Sequence, residues 1–269
     1  MCTTTESVLG TDRNAAEGFV WAPHWYDLVP IVMKSFRSWV GVARDQAWTS
    51  SPIVLGNSNL VSEYSRQLLL LRAGGDGMGG GRGIPTIVGE LGIPFDMNGG
   101  DAYRTGDFGL QISAMDTTLC ALDMALLSGI LWNYTPDNTN RFGDGWNGED
   151  LSIFSTDQIL PGQEHNVFAG GRALQAIVRP YATRCAGTLS VMRFDVKTRR
   201  FYLEFRSNGY TGVSGTPTVV FVPFFQYPSG PQVSISDGTY QFDHRAQTLE
   251  YYHDTTAGYI HTLVLTAPA

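Results

Sequence analysis

Two hydrophobic rhythms divide the chain. Up to about residue 175, short apolar runs alternate with segments whose apolar positions recur every three to four residues, the spacing of a helix that buries one face. Gly18–Trp25 reads as a buried strand. Leu28–Trp48 has helical spacing interrupted at Pro30, and Asn59–Arg72 reads as a helix with Leu60, Tyr64, Leu68 and Leu71 on one face. Gly74–Gly83 (GGDGMGGGRG) offers little side chain to pack and reads as a flexible loop. Ile84–Glu90 then reads as a strand, Asp107–Gly129 as a long helix and Ile130–Tyr134 as a further strand. Strands alternating with helices predict an α/β domain built on a parallel sheet.

Beyond residue 176 the rhythm shortens to two. Leu189–Val196, Phe201–Arg206, Thr218–Phe225, Val233–Ile235, Thr239–Asp243, Leu249–His253 and Ile260–Thr266 are rich in β-branched and aromatic residues. Turn signals separate them at Lys197-Thr198, Ser229-Gly230, Asp237-Gly238 and Ala257-Gly258. Short strands without helices predict an antiparallel β-sandwich. The expected organisation is an α/β region over 1–175 followed by a β-sandwich over 176–269. Phe224, Phe225 and Tyr227 are expected to pack against the α/β region.

Charge follows the same division. Residues 1–175 carry 10 basic and 19 acidic side chains, and residues 176–269 carry 8 basic and 6 acidic ones. The overall charge of −7, with only two Lys among 18 basic residues, opposes a nucleic-acid partner, which requires clustered cations. The short basic run Lys197–Arg200 reads as a solvated turn. Three widely spaced cysteines, Cys2, Cys120 and Cys185, form neither a disulfide framework nor a zinc-binding spacing, and Cys120 reads as a small core residue. No apolar run has the length of a membrane span, and Met1–Gly10 lacks the apolar segment of a secretory signal, which favours a cytoplasmic location.

Ligands of parallel α/β sheets bind at the carboxyl ends of the strands, so the residues that follow each strand carry the candidate chemistry. The first strand leads into Pro23-His24-Trp25-Tyr26-Asp27. His24 and Tyr26, two residues apart, share one side of an extended segment and either hold a carboxylate or form a buried, satisfied pair. The second leads into Gly89-Glu90-Leu91-Gly92. A carboxylate closing an apolar strand is costly without a partner or a task, and flanking glycines permit close approach of backbone or ligand. The third leads into Leu131-Trp132-Asn133-Tyr134-Thr135, where Trp132 is either core or a platform for the apolar face of a sugar. Asn133-Tyr134-Thr135 is formally a glycosylation acceptor, but it lies at the end of an expected strand. The loop Phe142–Leu151 is dense in sugar-binding residue types, namely Trp146, Asn147, Glu149 and Asp150. The alternative for Asp150 is a helix N-cap.

Taken in order, these segments resemble the C-terminal part of glycoside hydrolase family 5 enzymes, in the eukaryotic branch of endoglycoceramidase-related glucosylceramidases and fungal steryl-β-glucosidases. The resemblance rests on Pro23–Asp27, Thr86–Asp96, Tyr103–Asp107, Leu131–Asn138 and Trp146–Ser152, and runs more softly through the sandwich. It implies a (β/α)₈ barrel, of which residues 1–175 would be about strands six to eight, followed by a small β-domain. It also implies hydrolysis of β-glycosidic bonds with retention by two carboxyl groups, without metal or other cofactor. Carried over by position, Glu90 corresponds to the nucleophile and His24 and Tyr26 to the pair beside it. Trp132 corresponds to the sugar platform, and Asn133, Asp137, Trp146, Asn147 and Glu149 to residues lining the same pocket. The implied partner is a β-glucoside or glycolipid, met in transient contact with a membrane surface.

The family's acid/base carboxyl follows strand four in an Asn-Glu dipeptide, and this sequence contains no such dipeptide. The resemblance therefore implies a chain without its proton donor, a fragment or inactive alone. Two alternatives remain at this point. One is a non-catalytic carbohydrate- or glycolipid-binding protein derived from the fold. The other is an enzyme whose acid is Glu149 or Asp150.

Overall fold

The computed structural model describes residues 18–43, 53–78, 83–207 and 215–268. Cys2, the N-terminal segment and parts of the Leu28–Trp48 and Gly74–Gly83 expectations lie outside the described residues. The chain divides into two compact units, Met1–Ala173 and Leu174–Ala269.

In the first unit, strand β3 (Ile87–Leu91) pairs in parallel with β4 (Ser128–Leu131), in the register Ile87↔Ser128 and Leu91↔Leu131. On its other side β3 takes a shorter parallel partner. Trp21 pairs with Thr86 and His24 with Glu90, joined by Ile87 N–H to the Trp21 carbonyl (2.9 Å), Gly89 N–H to Pro23 (2.8 Å) and Trp25 N–H to Glu90 (2.9 Å). Residues 21–25, β3 and β4 thus form a parallel ribbon. The fully buried strand expected at Gly18–Trp25 is corrected: Phe19 and Val20 are exposed and only Trp25 is core.

The helices connect these strands. Helix α1 (Leu28–Met33) is capped by Asp27, whose carboxylate accepts from Val29 N–H. Pro30 lies in its first turn, where a missing N–H leaves no bond unmade, so it does not interrupt the helix. The long helix expected over Leu28–Trp48 instead ends at Met33, and a short antiparallel hairpin follows, β1 (Val40–Val42) with β2 (Ile53–Leu55). Helix α2 (Asn57–Asp76) buries Leu60, Tyr64 and Leu68, and runs three residues into the glycine stretch that was expected to be loop. After β3 come α3 (Met97–Thr105) and α4 (Gly109–Ala125), which packs along α2. Helix α4 stops four residues before the expected Gly129, because Leu126 turns left-handed and β4 begins at Ser128. Cys120 is half-buried, not core, and its thiol donates to Asp116 at 3.5 Å. Among the described residues, no helix is long and apolar enough to cross a membrane.

The second unit opens with a single helical turn, α5 (Leu174–Ile177), and is otherwise two four-stranded antiparallel sheets. One has the order β10 (Thr239–Asp243), β11 (Thr248–Tyr252), β8 (Thr218–Phe221), β5 (Tyr181–Arg184). The other runs β6 (Thr188–Asp195), β7 (Arg200–Arg206), β12 (Ile260–Thr266), β9 (Gln232–Ile235). Strict alternation turns Phe201, Leu203 and Phe205 inward on β7, His261, Leu263 and Leu265 on β12, and Leu249 and Tyr251 on β11. Strand β5 escapes a sequence reading because its four residues follow Arg179-Pro180 and show no alternating apolar pattern. Tyr227 belongs to this unit's own core, with its hydroxyl donating to the Arg199 carbonyl (3.0 Å), so the expectation that it faces the α/β region is corrected. Lys197–Arg200 forms the β6–β7 turn, where Asp195 accepts from the N–H groups of Lys197 and Thr198.

One end of this core is polar. His261, fully buried, shares a 2.9 Å hydrogen bond with Asp237, and its ring lies 4.3 Å from that of His253. Burial, and then the charge of His261, lower the pKa of His253 against the opposing pull of Asp237 and Asp254. A histidine held neutral in the fold takes up a proton first in the unfolded chain, at about pH 6.5. Stability is then full above that pH and declines as the pH falls through it. We expect calorimetric melting of the full chain to show a midpoint falling between about pH 7 and pH 5, and falling less in His253→Gln. An identical pH dependence in the two proteins would contradict this.

Candidate active site

The parallel register between residues 21–25 and β3 decides what faces Glu90. Because His24 lies opposite Glu90, the alternation of the extended chain turns His24 and Tyr26 toward the carboxylate and Trp25 away from it. Trp25 is buried against Tyr64 at 4.9 Å between ring centroids, and its indole N–H donates to Gln67 at 3.1 Å. On the other side the Tyr26 hydroxyl donates to Glu90 Oε2 at 3.0 Å, and His24 Nδ1 approaches the same oxygen at 3.2 Å. Glu90 is 27% exposed and His24 56%, so the group is reachable from solvent.

The glycines flanking Glu90 serve the neighbouring strands. A Cβ on Gly89 would meet the Ala22 carbonyl oxygen and the His24 ring, and one on Gly92 would meet the Trp132 carbonyl oxygen. Close backbone packing, more than access for a ligand, requires glycine at both positions.

Beyond β4, Trp132 N–H donates to the Leu91 carbonyl (2.8 Å), and the Trp132–Asn133 peptide is cis. The chain then doubles back, with Asn133 N–H on Leu151 (3.2 Å) and Ile153 N–H on Asn133 (2.8 Å). Asp144 organises the loop between. One of its oxygens accepts from Trp146 N–H (2.9 Å), and the other accepts from Leu151 N–H (3.1 Å) and the Asn133 side-chain amide (3.0 Å). Asn133 also accepts from the Thr135 hydroxyl, so both ends of its amide are engaged within the protein. Glu149 is half-buried, and its carboxylate has no hydrogen-bond partner among the described residues.

Tyr26 senses this loop. Burial raises its pKa well above the ordinary phenol range, followed by the hydrogen bond to Glu90 and the charges of Glu90, Glu149 and Asp144. The phenol therefore remains a donor at neutral pH, and Glu149 and Asp144 lie within electrostatic reach of it. Glu90, His24 and Tyr26 meet directly. Trp132 sits one strand away, and Trp146 is 58% exposed. Asn147 is exposed in a left-handed conformation. Asp137 is exposed without a side-chain hydrogen bond among the described residues, whereas its neighbour Asn138 is fully buried.

Three participants were missed by sequence reasoning: Asp144, Asn138 and Arg172. Asp144 stands between two glycines and could have been read as a turn-former. The others had no local signal. Asp150 is not a helix cap. It is buried, and both of its oxygens are engaged within the protein by Arg172, Tyr103 and Asn138 rather than presented to a ligand. Among the described residues, no three His, Cys, Asp or Glu side chains come together as a metal-binding group.

Comparison with known proteins bears on this arrangement. Residues 179–265 match the glycoside hydrolase family 5 C-terminal domain. The glucosylceramidase of Rhizopus delemar is 29% identical over 251 residues, covering 87% of this chain and 36% of that protein. The ergosteryl-β-glucosidase of Saccharomyces cerevisiae is 26% identical over 290 residues, covering 87% and 38%. The crystal structure of Cryptococcus neoformans sterylglucosidase 1 superposes with a TM-score of 0.83 at 26% identity, covering 93% of this chain and 38% of that one. The chain thus spans a little over a third of the length of these relatives. It resembles the C-terminal part of glycoside hydrolase family 5 enzymes, as its motifs indicate, and shares the fold of the corresponding part of the sterylglucosidase.

The raised pKa of Tyr26 has a measurable sign. Its unfolded value is about 10, so stability is full below that pH and declines as the pH rises through the folded value. We expect ultraviolet titration of the full chain to show no loss of phenolate amplitude in Tyr26→Phe until the pH exceeds the ordinary tyrosine range of about 10. A loss of amplitude within that range would remove the Tyr26–Glu90 hydrogen bond from the account.

Proposed function

We propose that this chain is the nucleophile-bearing part of a retaining β-glucosidase that acts on glycolipids. On this reading residues 1–175 supply strands six to eight of a (β/α)₈ barrel, and residues 176–269 are the accessory β-sandwich. The observation that carries it is the shared oxygen of Glu90, held by Tyr26 at 3.0 Å and His24 at 3.2 Å at the carboxyl end of a parallel strand. A steryl glucoside or glucosylceramide is the proposed substrate, because the relatives are named for those glucosides.

The chemistry follows from the geometry. Tyr26 and His24 engage Oε2, which orients the carboxylate and leaves Oε1 for attack on the anomeric carbon. The C–O bond to the aglycone breaks as the glycosyl–Glu90 ester forms, and water later cleaves that ester to release the sugar. Protonation of the departing oxygen requires a carboxylic acid roughly 5–5.5 Å from Glu90, and we assign it to a residue outside this chain. Trp132 and Trp146 offer flat apolar faces to the sugar, and Glu149 offers an unpaired acceptor for its hydroxyls. Asn133 holds Asp144 and so shapes the pocket wall. Asp137 and Asn147 lie on the outer edge of the same loop.

The missing acid sets the test. General acid catalysis is worth roughly 10²–10⁴-fold, and a leaving group as weakly basic as 2,4-dinitrophenolate does not need it. We expect 2,4-dinitrophenyl 2-deoxy-2-fluoro-β-glucoside to leave a fluoroglucosyl ester on Glu90 of the full chain. Peptide mass spectrometry would locate it, and Glu90→Gln would abolish it. Label on another carboxylate would overturn the assignment of Glu90. Reversible glucoside binding without any adduct would favour the non-catalytic reading.

A further inference from the structure

Arg172 is among the largest fully buried side chains of the protein, yet it is a cation. Its guanidinium grips Asp150 with two hydrogen bonds, NH1 to Oδ2 at 2.9 Å and NH2 to Oδ1 at 2.6 Å. NH2 also donates to the Asn138 side-chain oxygen (2.8 Å) and the Phe154 carbonyl (3.2 Å), and NH1 to the Tyr103 hydroxyl (3.5 Å). The guanidinium carbon lies 4.4 Å from the centre of the Phe95 ring. Asp150 is saturated in turn by the Tyr103 hydroxyl and by the Asn138 amide at 2.8 Å. Burial, followed by that hydrogen bond and the Asp150 charge, raises the Tyr103 pKa, so Tyr103 stays a donor.

The five partners, Phe95, Tyr103, Asn138, Asp150 and Phe154, surround the base of one loop. Residues 133 and 151–153 close the loop by backbone pairing, and Arg172 N–H adds a bond to the Ile153 carbonyl at 2.7 Å. Asn138 anchors the return path, its carbonyl accepting from Thr156 N–H (3.0 Å) and from the Ser155 and Thr156 hydroxyls. Phe95 N–H donates to the Asp150 carbonyl at 2.6 Å, which ties the loop to the segment that follows Glu90. Arg172 has no hydrogen bond or ion pair to Trp132, Trp146 or Glu149 among the described residues. It acts only on the frame that presents them.

We propose that Arg172 is a positioning residue, whose bidentate grip on Asp150 holds the 132–154 loop in the one shape that presents Trp132, Trp146 and Glu149 to the sugar. The consequence for the sugar rests on the proposed glucosidase reading, and the consequence for the loop does not. A buried ion pair contributes little stability over apolar residues of similar volume, but its fork geometry dictates a single arrangement of its partners. That difference separates positioning from mere packing.

The double variant Arg172→Met with Asp150→Leu removes both charges and leaves neither unpaired. In the full chain we expect it to stay folded but to melt below the parent temperature, because the buried Asn138 amide and the Tyr103 hydroxyl lose their charged partners. We expect amides of 133–151 to exchange at least about tenfold faster with deuterium, while α2 and the sandwich exchange as in the parent. Labelling by the fluoroglucoside should slow by about tenfold or more, mainly through weaker binding. Parental loop exchange and parental labelling in the double variant would overturn the proposal. If that variant fails to fold, Arg172→Lys decides, since lysine keeps the charge but loses the fork: faster exchange confined to 133–151 supports the proposal, and unchanged exchange refutes it. Should the parent take no label, the glucosidase reading fails, while loop exchange still judges Arg172.

Discussion

The pairing of residues 21–25 with β3 is the constraint on which the candidate site depends. Three backbone hydrogen bonds set the register, and a slip of one residue would exchange the faces of His24, Trp25 and Tyr26. Trp25 would then confront Glu90, and two polar side chains would be driven into the packing against Tyr64. The buried Trp25 therefore enforces the orientation of the two residues that meet the carboxylate. Core packing and site chemistry are opposite faces of one short segment.

The second element of the site is a loop with little apolar packing of its own. Its order comes from polar groups used at full capacity: Asp144 accepts three hydrogen bonds, and Asp150 four from side chains. Each such bond to a charged group contributes roughly 1.5–3 kcal/mol, and leaving one partner buried and unpaired costs at least as much. The loop is therefore rigid when complete and intolerant of partial loss. On the proposed reading, that suits a surface that displays the exposed Trp146 indole and a Glu149 carboxylate without a hydrogen-bond partner among the described residues.

The sandwich rests on a simpler principle. Inward-facing Phe, Leu and Tyr from both sheets fill its centre, and truncating a buried Phe such as Phe205 typically costs about 3–5 kcal/mol. Its polar end is the exception, since His261 and His253 lie in contact where further aromatic packing would be expected. Asp237 compensates by receiving hydrogen bonds from Ser236, from Asp254 N–H and from His261. These outweigh the opposing effect of burial and hold its carboxyl below the usual range.

Periodicity by itself determined most element types, because a period of two or of 3.6 is a local property of which side chains must leave water together, although Val40–Val42, expected within a helix, is a strand. It located Tyr64 and Leu68 on the buried face of α2 and the inward triplet of β7, whereas the meeting of His24 and Tyr26 with Glu90 was implied by the family resemblance. It failed where local signals were weak or were overridden. Pro30 looked like a break but lies in a first turn, β5 has no pattern, and Gly129 looked like a helix end although Leu126 provides it. The motif around Glu149 was visible as composition, while the side chains that shape it were not. Arg172 and Asp150 are 22 residues apart, and Arg172 and Tyr103 are 69 apart, with nothing local to mark either as a partner. Only the tertiary structure decided that these charges meet in a buried place, because a buried ion pair is selected by the desolvation of both groups at once, and desolvation is a property of the assembled chain.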